Sequence, residues 1–333
     1  MLSLHGPEGA LAPSDTGAGA GVPAQTVWID LNNPTPEEAQ SVEAATGLRV
    51  PSRKALSEVE SSSRLRRLKG GLSLSTPMIT FERNDSVLKP LGFVLTGRHL
   101  VTVRFHELRA FSEVRKRIDD GEAAATGIDV FLLLTEELVD SLADALEDMG
   151  AELDSLSTRI FDFDVRARPA KSGEAAAPRR RDIALKRILR GIARRGKVLG
   201  KIRASLLGLE RLVPFVAGAC EHLLGQEETD ARFETIRRDI ESLDEFETRL
   251  SENVQFLLDA ALGLINIEQN NVFRVLTVVS VVGVPPTLIA SMYGMNFKAM
   301  PELDWAYGYP YALTLILVSA VVPIVVFRIK GWF

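Results

Sequence analysis

The sequence is poor in the residues that build disulfide frameworks and zinc clusters. It has one cysteine, Cys220, among 333 residues, and its four histidines are scattered along the chain. A single cysteine forms no intramolecular disulfide, and scattered histidines lack the spacing of a local zinc site. Nucleophile elbows, phosphate-cradling loops and metal-ligand spacings are also absent from the sequence. We therefore expect neither an enzyme activity nor a bound cofactor.

Charge is missing from two long stretches near the carboxyl end. Residues 275–297 and residues 305–327 each run for 23 positions without Asp, Glu, Lys or Arg. A helix of about 20 apolar residues crosses the roughly 30 Å hydrocarbon layer of a bilayer. Two such runs are unusual in a soluble core. They predict two transmembrane helices, the second over residues 305–328.

The amino end is not expected to act as an export signal. Residues 1–25 are rich in Gly, Ala and Pro, lack a basic segment followed by an apolar one, and are predicted to be a disordered lead-in. Arg274 precedes the first uncharged run, and Arg328 and Lys330 follow the second. Basic residues mark the cytosolic side. We expect a multi-pass protein of the bacterial inner (plasma) membrane with both termini cytoplasmic, residues 329–333 being a cytosolic tail.

An α/β domain is predicted over residues 26–130. Residues 27–48 are typical of a strand followed by a helix that begins at Pro36, because Pro and Glu favour the first helical turn. Later segments alternate or run apolar, with Val, Ile, Thr and Phe, and are predicted strands: 71–81, 90–97 and 99–105. Asp30, in the first strand, is more typical of a capping or turn group than of a catalytic one.

A helical region with one acidic and one basic helix is predicted over residues 131–228. The acidic helix has a leucine stripe at helical spacing, and residues 166–181 are predicted to be a loop or a flexible helix tip. Basic residues then follow from Arg179 to Arg203. We expect the two helices to pair by charge, or the basic face to lie near anionic lipid. Aromatic residues are too few there to favour nucleic acid.

A single long helix, the stalk, is predicted over residues 229–292, continuing into the first span. Its apolar residues recur at intervals of three or four residues, with one interval of seven, as in a coiled coil. They are Phe233, Ile236, Ile240, Leu243, Leu250, Val254, Leu257, Ala261 and Leu264. A lone helix of this length buries too little surface to be stable. The stalk is therefore expected to pack against copies of itself in a symmetric homo-oligomer.

The same spacing continues inside the first uncharged run. The positions on this face are Asn270, Phe273, Leu276, Thr277, Ser280, Val284, Thr287 and Ser291. One interpretation is helix packing, because small residues allow close approach in lipid. The other is a pore lining, in which hydroxyl oxygens contact hydrated ions and apolar rings close the path.

A short polar loop, residues 293–304, joins the two spans. Gly294 lets the backbone leave the helix, and Asn296 offers an uncharged amide oxygen. Magnesium gives up its water reluctantly, so a ring of neutral oxygens suits the hydrated ion. Glu302 and Asp304 would concentrate cations near this loop.

The residues Tyr293-Gly294-Met295-Asn296-Phe297, followed by Met300-Pro301-Glu302-Leu303, resemble the signature of the CorA family of magnesium channels. Segments 27–38, 78–84 and 257–262 resemble family sequence as well. The resemblance implies a homopentamer with a cytosolic α/β funnel, a stalk helix that continues as the pore-lining span, and a second span outside it. It also implies a selectivity mouth at Gly294, Met295 and Asn296, and pore-facing positions at Asn270, Phe273, Leu276, Val284 and Thr287.

In the family, acidic residues between neighbouring cytosolic domains bind regulatory magnesium. Glu82 stands at one such position, whereas the stalk counterpart falls on Thr235, with Glu234 and Asp239 nearby. The resemblance implies uptake of Mg²⁺, and also of Co²⁺ and Ni²⁺, driven by the membrane potential. One alternative is a ZntB-like, proton-coupled Zn²⁺ transporter. Another is a membrane-anchored scaffold, which would have no need of a polar face in the first span.

Overall fold

The computed structural model describes residues 1–7, 9–11, 22–58, 60, 64–82, 85–122, 124–165, 177–220, 227–296, 300–301 and 305–332. The chain forms two compact units. The first unit comprises Met1–Ser172 with Arg187–Leu258, and the second comprises Gly173–Lys186 with Asp259–Phe333.

A seven-stranded sheet forms the centre of the first unit. Its strands are β1 (Leu2–Gly6), β2 (Gly9–Leu11), β3 (Trp28–Asn32), β4 (Leu65–Leu68), β5 (Gly71–Glu82), β6 (Asp85–Thr96) and β7 (Leu100–Arg104). They lie in the order β2-β1-β3-β7-β6-β5-β4. The pair β3 and β7 is parallel, and the other pairs are antiparallel.

The amino end is part of this sheet, so the predicted disorder of residues 1–25 is wrong for residues 2–6 and 9–11. Strand β1 pairs with β3 in a register that sets Leu4 opposite Ile29. Leu4 is buried in a cluster with Ile29 and Leu31. The alternation of Leu2 and Leu4 is too short to stand out against the surrounding Gly and Pro, and it becomes a strand because β3 offers an open edge. Residues 12–21 lie outside the described residues.

In the part of the chain that the structure describes, three shorter helices flank the strands: α1 (Pro36–Thr46), α2 (Arg53–Leu56) and α3 (Arg109–Asp119). The predicted start of α1 at Pro36 is confirmed. Thr35 Oγ1 accepts from Glu38 N at 3.2 Å, and Glu38 Oε2 accepts from Thr35 N at 2.9 Å. This reciprocal capping box satisfies amide groups that the first helical turn leaves without partners.

Among the described residues, four long helices follow: α4 (Gly127–Val165), α5 (Ala177–Cys220), α6 (Glu227–Tyr293) and α7 (Gly308–Ile329). The leucine stripe of α4 is buried, as its spacing predicts; it consists of Leu142, Leu146, Leu153 and Leu156. Arg195 Nε of α5 lies 2.9 Å from Glu152 Oε2 of α4, but Arg203 Nη1 of α5 lies 3.4 Å from Glu247 Oε2 of α6. The predicted charge pairing thus joins α5 to α4 at Glu152, but Arg203 of the same basic helix pairs with α6 instead.

Helix α5 covers the part of β5 that β4 leaves open. Strand β4 pairs with Gly71–Leu74, and beyond this point Ile79 N donates to Ser205 Oγ of α5 at 3.0 Å. Lys201 Nζ donates to Ser86 Oγ at 3.1 Å. A methyl group at Gly208 would overlap Thr76 Oγ1, so the absence of a side chain lets α5 approach the strand closely. An exposed strand edge invites aggregation, and the helix removes that hazard.

The amino-terminal part of α6 packs within its own chain. Phe233, Ile236, Ile240, Leu250 and Leu257 are buried. The ring of Phe233 lies 6.4 Å from the ring of Phe131 in α4, and Leu250 and Val254 lie against glycines of α4 and α5. The expectation that this seam must pack against copies of itself is wrong for residues 233–257, because α4 and α5 supply the facing apolar surface.

Asp30 belongs to a buried ion-pair network and is neither a cap nor a turn group. Its Oδ2 lies 2.9 Å from Arg104 Nη2, and its Oδ1 accepts from Thr102 Oγ1 at 2.9 Å. Arg104 Nη1 also donates to Glu107 Oε2 at 2.9 Å, and the guanidinium lies 4.7 Å from the centre of the Phe111 ring. The pairing of β3 with β7 brings these charges together, which the sequence pattern does not show.

Candidate ion pathway

The carboxyl-terminal part of α6 and helix α7 are both long and apolar enough to cross a membrane. Helix α7 has 22 residues, which at 1.5 Å each gives a length of roughly 33 Å. None of the residues in the most apolar 18-residue window of either helix is buried in the chain. Uncovered apolar surface on this scale requires either lipid or another protein surface.

Aromatic residues lie at both ends of this helical pair. At one end the guanidinium of Arg274 lies 5.9 Å from the centre of the Trp332 ring, which stacks on Phe327 at 5.1 Å. At the other end the ring of Trp305 lies 5.8 Å from the ring of Tyr311. Trp and Tyr concentrate at membrane interfaces. These aromatic residues stand at the ends of the uncharged runs, so their positions in the sequence are a usable signal for the two membrane interfaces.

Most of the surface of α6 is exposed in the first span, including the predicted pore-facing side. This side consists of Asn270, Phe273, Thr277, Ser280, Val284, Thr287 and Ser291, with Leu276 beside it, and every one of these is exposed. Between them Val278, Val282, Pro285 and Ile289 are half-buried. The predicted pore positions therefore lie on a face that is distinct from the partly covered side of the helix.

Two threonine hydroxyls on this face donate back to the helix. Thr277 Oγ1 donates to Phe273 O at 2.8 Å, and Thr287 Oγ1 donates to Gly283 O at 2.8 Å. A hydroxyl that donates in this way keeps its oxygen lone pairs for other partners. These oxygens lie on the exposed face, where they are available to water molecules around a cation.

The helix continues through Pro285 and Pro286 to Tyr293. Neither proline has an N–H group, so the carbonyl oxygens of Val281 and Val282 lose their usual donors four residues on. The span therefore keeps its helical path while its hydrogen-bond ladder is weakened about two turns below the loop.

The loop begins where α6 ends. Gly294 N donates to Ala290 O at 3.0 Å and to Ser291 O at 3.2 Å. A Cβ at this position would lie 3.3 Å from Ala290 O, a crowded contact, and the backbone of Gly294 is not left-handed. Gly294 therefore does not adopt the left-handed conformation that favours glycine. Met295 and Asn296 follow and are exposed, whereas Glu302 and Asp304 lie outside the described residues.

Two of the three predicted regulatory carboxylates, Glu82 and Glu234, have basic partners within the chain. Glu82 Oε1, at the end of β5, lies 2.6 Å from Lys89 Nζ. Hydrogen bonds from Arg237, and then the charges of Arg237 and Arg238, lower the pKa of Glu234 to about 2. Across the part of the chain that the structure describes, no three His, Cys, Asp or Glu residues form a group that could hold a metal ion. One chain therefore does not assemble Glu82, Glu234 and Asp239 into a metal site.

Comparison with known proteins assigns the family. The family model described as CorA-like Mg²⁺ transporter protein matches residues 23–330. The chain belongs to this transporter family. A magnesium transport protein CorA from Pectobacterium atrosepticum is 34% identical over 313 residues, which cover 92% of each chain. The chain is thus a member of a membrane transporter family and not of a known enzyme class.

Two solved structures share the family's fold. The complete CorA magnesium transporter from Methanocaldococcus jannaschii superposes with a TM-score of 0.74 at 19% identity, covering 100% of this chain and 98% of that one. The cytoplasmic domain of ZntB from Vibrio parahaemolyticus gives a TM-score of 0.55 at 13% identity over 80% of this chain. The predicted fold class, an α/β domain followed by long helices and two carboxyl-terminal membrane helices, is confirmed.

Proposed function

We propose that this protein is a homopentameric channel for Mg²⁺ that also admits Co²⁺ and Ni²⁺. Family membership and relatives that are named magnesium transport proteins support magnesium as the principal ion. The membrane potential drives entry. A divalent ion gains roughly 4.6 kcal/mol in crossing 100 mV towards a negative interior, which suffices for uptake without a nucleotide.

The observation that carries this proposal is the exposed face of the first span, which leads to Gly294-Met295-Asn296. Symmetric copies of α6 would cover this face and turn each position into a ring. Rings of Thr277, Ser280 and Thr287 then supply oxygens to the hydrated ion, and rings of Phe273 and Val284 supply apolar constrictions. A scaffold that merely needed an anchor has no use for this alternation.

The mouth binds the ion through its water. Asn296 offers a neutral amide oxygen from each copy, and a ring of these holds the first hydration shell without the cost of dehydrating magnesium. Glu302 and Asp304 in the same loop raise the local cation concentration. The basic residues Arg274, Arg328 and Lys330 lie towards the opposite end of the helices, which supports a bacterial inner-membrane protein with both termini in the cytoplasm.

Regulation by cytosolic Mg²⁺ forms part of the proposal. We place the regulatory site between neighbouring copies, as the family resemblance implies; among the described residues of one chain, Glu82, Glu234 and Asp239 form no metal group. Asp239 adds negative charge near Asp140, whose pKa is raised by burial and then by Glu137 and Asp239. A cation close to Asp239 would relieve that repulsion. We expect Asp239→Asn to weaken the protection of the pentamer from protease by millimolar Mg²⁺, whereas unchanged protection would remove Asp239 from this role.

Proteoliposomes with an inside-negative potential provide the test. Magnesium influx through the wild type should be lost with Asn296→Ala, because the mouth loses its ring of amide oxygens. Asn271→Ala is the matched control, since Asn271 is exposed on α6 but outside the face described above. Cross-linking of both variants checks that the oligomer still assembles. Equal influx in wild type and Asn296→Ala would refute the proposal that Asn296 forms the selectivity mouth.

A second candidate is proton-coupled transport of zinc. The fold likeness to the ZntB cytoplasmic domain favours it, although that likeness concerns the fold alone. The same vesicles separate the two functions when zinc and a proton gradient replace magnesium and the potential. Zinc entry that follows the proton gradient, with little magnesium entry, would establish zinc transport. An assembled protein that passes neither ion would be an anchored scaffold.

A further inference from the structure

The chain that follows α7 folds back onto the end of the helix. Gly331 has a φ of +69°, the left-handed conformation that favours glycine. Gly331 N donates to Arg328 O at 3.2 Å, and Trp332 N donates to Phe327 O at 2.9 Å. These two hydrogen bonds together define a Schellman motif, which usually includes an apolar contact between the last pair of residues. The rings of Trp332 and Phe327 supply that contact, because they stack at 5.1 Å.

This turn presents the indole ring of Trp332 to Arg274 of α6. The guanidinium lies 5.9 Å from the centre of the ring, within the roughly 6 Å of a cation–π contact. Among the described residues, no other hydrogen bond, ion pair or ring contact joins side chains of residues 270–293 to those of residues 308–332. Both helices belong to the second unit here. We call Arg274, Trp332 and Phe327 the clip.

The clip lies beside the predicted ion path. Arg274 directly follows Phe273, one of the predicted apolar constrictions, and directly precedes the first uncharged run. Successive residues of a helix are set about 100° apart around its axis, so a fixed direction for Arg274 also fixes the direction of Phe273. Most of the surface of α6 is exposed in this span, so the described chain offers few other contacts that would hold the rotation of the helix.

We propose that the clip positions the ion path, an inference that rests on the proposed function. Trp332 holds Arg274, and Arg274 fixes the rotation of α6, so that Phe273 and the hydroxyl groups of the same face point in one direction in every copy. A ring forms around a symmetry axis only when all copies point alike. Trp332 is thus a positioning residue for the path, in addition to an anchor at the membrane interface of the kind that Trp commonly provides.

Fluorine NMR tests the contact itself, on the full chain in phosphatidylcholine nanodiscs. The three tryptophans are labelled with 5-fluorotryptophan, and Trp332→Phe assigns the Trp332 signal. Arg274→Gln should shift this signal, because it removes a positive charge from the face of the ring. Arg274→Lys keeps the charge and should shift it less. The matched control is Arg328→Gln, which removes an equal charge from the exposed surface of α7. Equal shifts from Arg274→Gln and Arg328→Gln would contradict the contact.

Magnesium influx into the proteoliposomes described above tests the role of the contact. Arg274→Gln and Trp332→Leu should each lower influx about threefold to tenfold, the effect of losing a partly desolvated cation–π contact. The double variant should lower influx no further than either single one, since both remove the same contact. Arg274→Lys should restore most of the influx. Gly331→Ala should also lower it, because a side chain at this φ is strained and Trp332 then leaves its place.

The control for this double-variant comparison combines Arg328→Gln with Trp332→Leu. Their effects should multiply, because the guanidinium of Arg328 is not among the described contacts of the Trp332 ring. If the effects of Arg274→Gln and Trp332→Leu multiply as well, Trp332 is an interfacial anchor and the proposal fails. A wild type that passes no magnesium would refute the channel, and with it the positioning role. Cross-linking and circular dichroism confirm that each variant is folded and assembled before influx is measured.

Discussion

In both parts of α6 the residues of one face recur every three or four positions, but the two parts differ in what covers that face. In residues 233–257 the side chains Phe233, Ile240 and Leu257 are buried against the same chain. In residues 270–291 the corresponding face is exposed, with Phe273 64% exposed and Val284 62% exposed. A periodic apolar face therefore shows that a helix has a partner, but it does not show whether that partner is in the same molecule.

The largest expected effect comes from making the same substitution, Phe to Ala, in each of the two parts of α6. Phe233→Ala should lower the free energy of unfolding of the first unit by about 3–5 kcal/mol, because it removes a buried ring that packs near Phe131. Phe273→Ala should change it by less than about 0.5 kcal/mol, because that side chain is 64% exposed. Urea titration of the full chain in detergent, followed by hydrogen exchange at the sheet amides, measures both. Equal losses would contradict the comparison.

Acid should affect the first unit through His106. This side chain is buried, neither ring nitrogen has a partner among the described residues, and its pKa is lowered to about 4 by burial and then by Lys89 and Arg104. The unfolded chain gains a proton as the pH falls below about 6.5, whereas the folded one stays neutral until about pH 4. Stability should therefore fall over this window, by up to about 3 kcal/mol.

The control for this pH dependence is His106→Gln, which should flatten the decline measured by urea titration at pH 7, 5.5 and 4.5. Part of the decline should persist, because burial also lowers the pKa of His5 and His99. If the free energy of unfolding of His106→Gln falls with pH as steeply as that of the wild type, His106 is not the source of the decline.

Two glycines of α5 offer a smaller contrast between packed and open surface. Gly208→Ala should destabilise the first unit by about 1–3 kcal/mol, since the added methyl overlaps Thr76 Oγ1 and lies 3.1 Å from Pro77 Cδ. Gly200→Ala meets nothing within 4 Å and should stabilise the helix by up to about 1 kcal/mol. Thermal unfolding of the pair gives the sign directly. A stabilising Gly208→Ala would show that α5 does not need its close approach.

The smallest expected effect concerns ion flux. Thr287→Val keeps the shape of the side chain but removes a hydroxyl from the exposed face, and about 1 kcal/mol of lost stabilisation would reduce magnesium influx roughly fivefold. Thr314→Val is matched to it, because Thr314 of α7 donates to Pro310 O at 2.8 Å in the same way. Its influx should remain within about twofold of the wild type. Equal reductions in influx for both variants would contradict the proposal that α6, and not α7, lines the ion path.

Sequence reasoning succeeded where a local pattern carried the information. The uncharged runs predicted both membrane helices, and Pro36 with its glutamates predicted the start of α1. It failed for β1, whose two alternating leucines needed the edge of β3. The pore-facing positions of α6 remain a prediction, because they are exposed in a single chain. The selectivity mouth at Gly294, Met295 and Asn296 also remains a prediction. Two of the regulatory carboxylates, Glu82 and Glu234, pair with Lys89 and Arg237 inside the chain, and these contacts were not predicted from spacing.

By itself the sequence determined that the chain has two membrane-length helices, a loop of family type and a long periodic helix, because length, charge and spacing are local properties. Tertiary structure alone decided that Asp30 pairs with Arg104 across two parallel strands, that α5 covers the open part of β5, and that the first half of the α6 seam is buried within the chain. These contacts join residues far apart in the chain, and their stabilisation arises only when folding brings both partners out of water together.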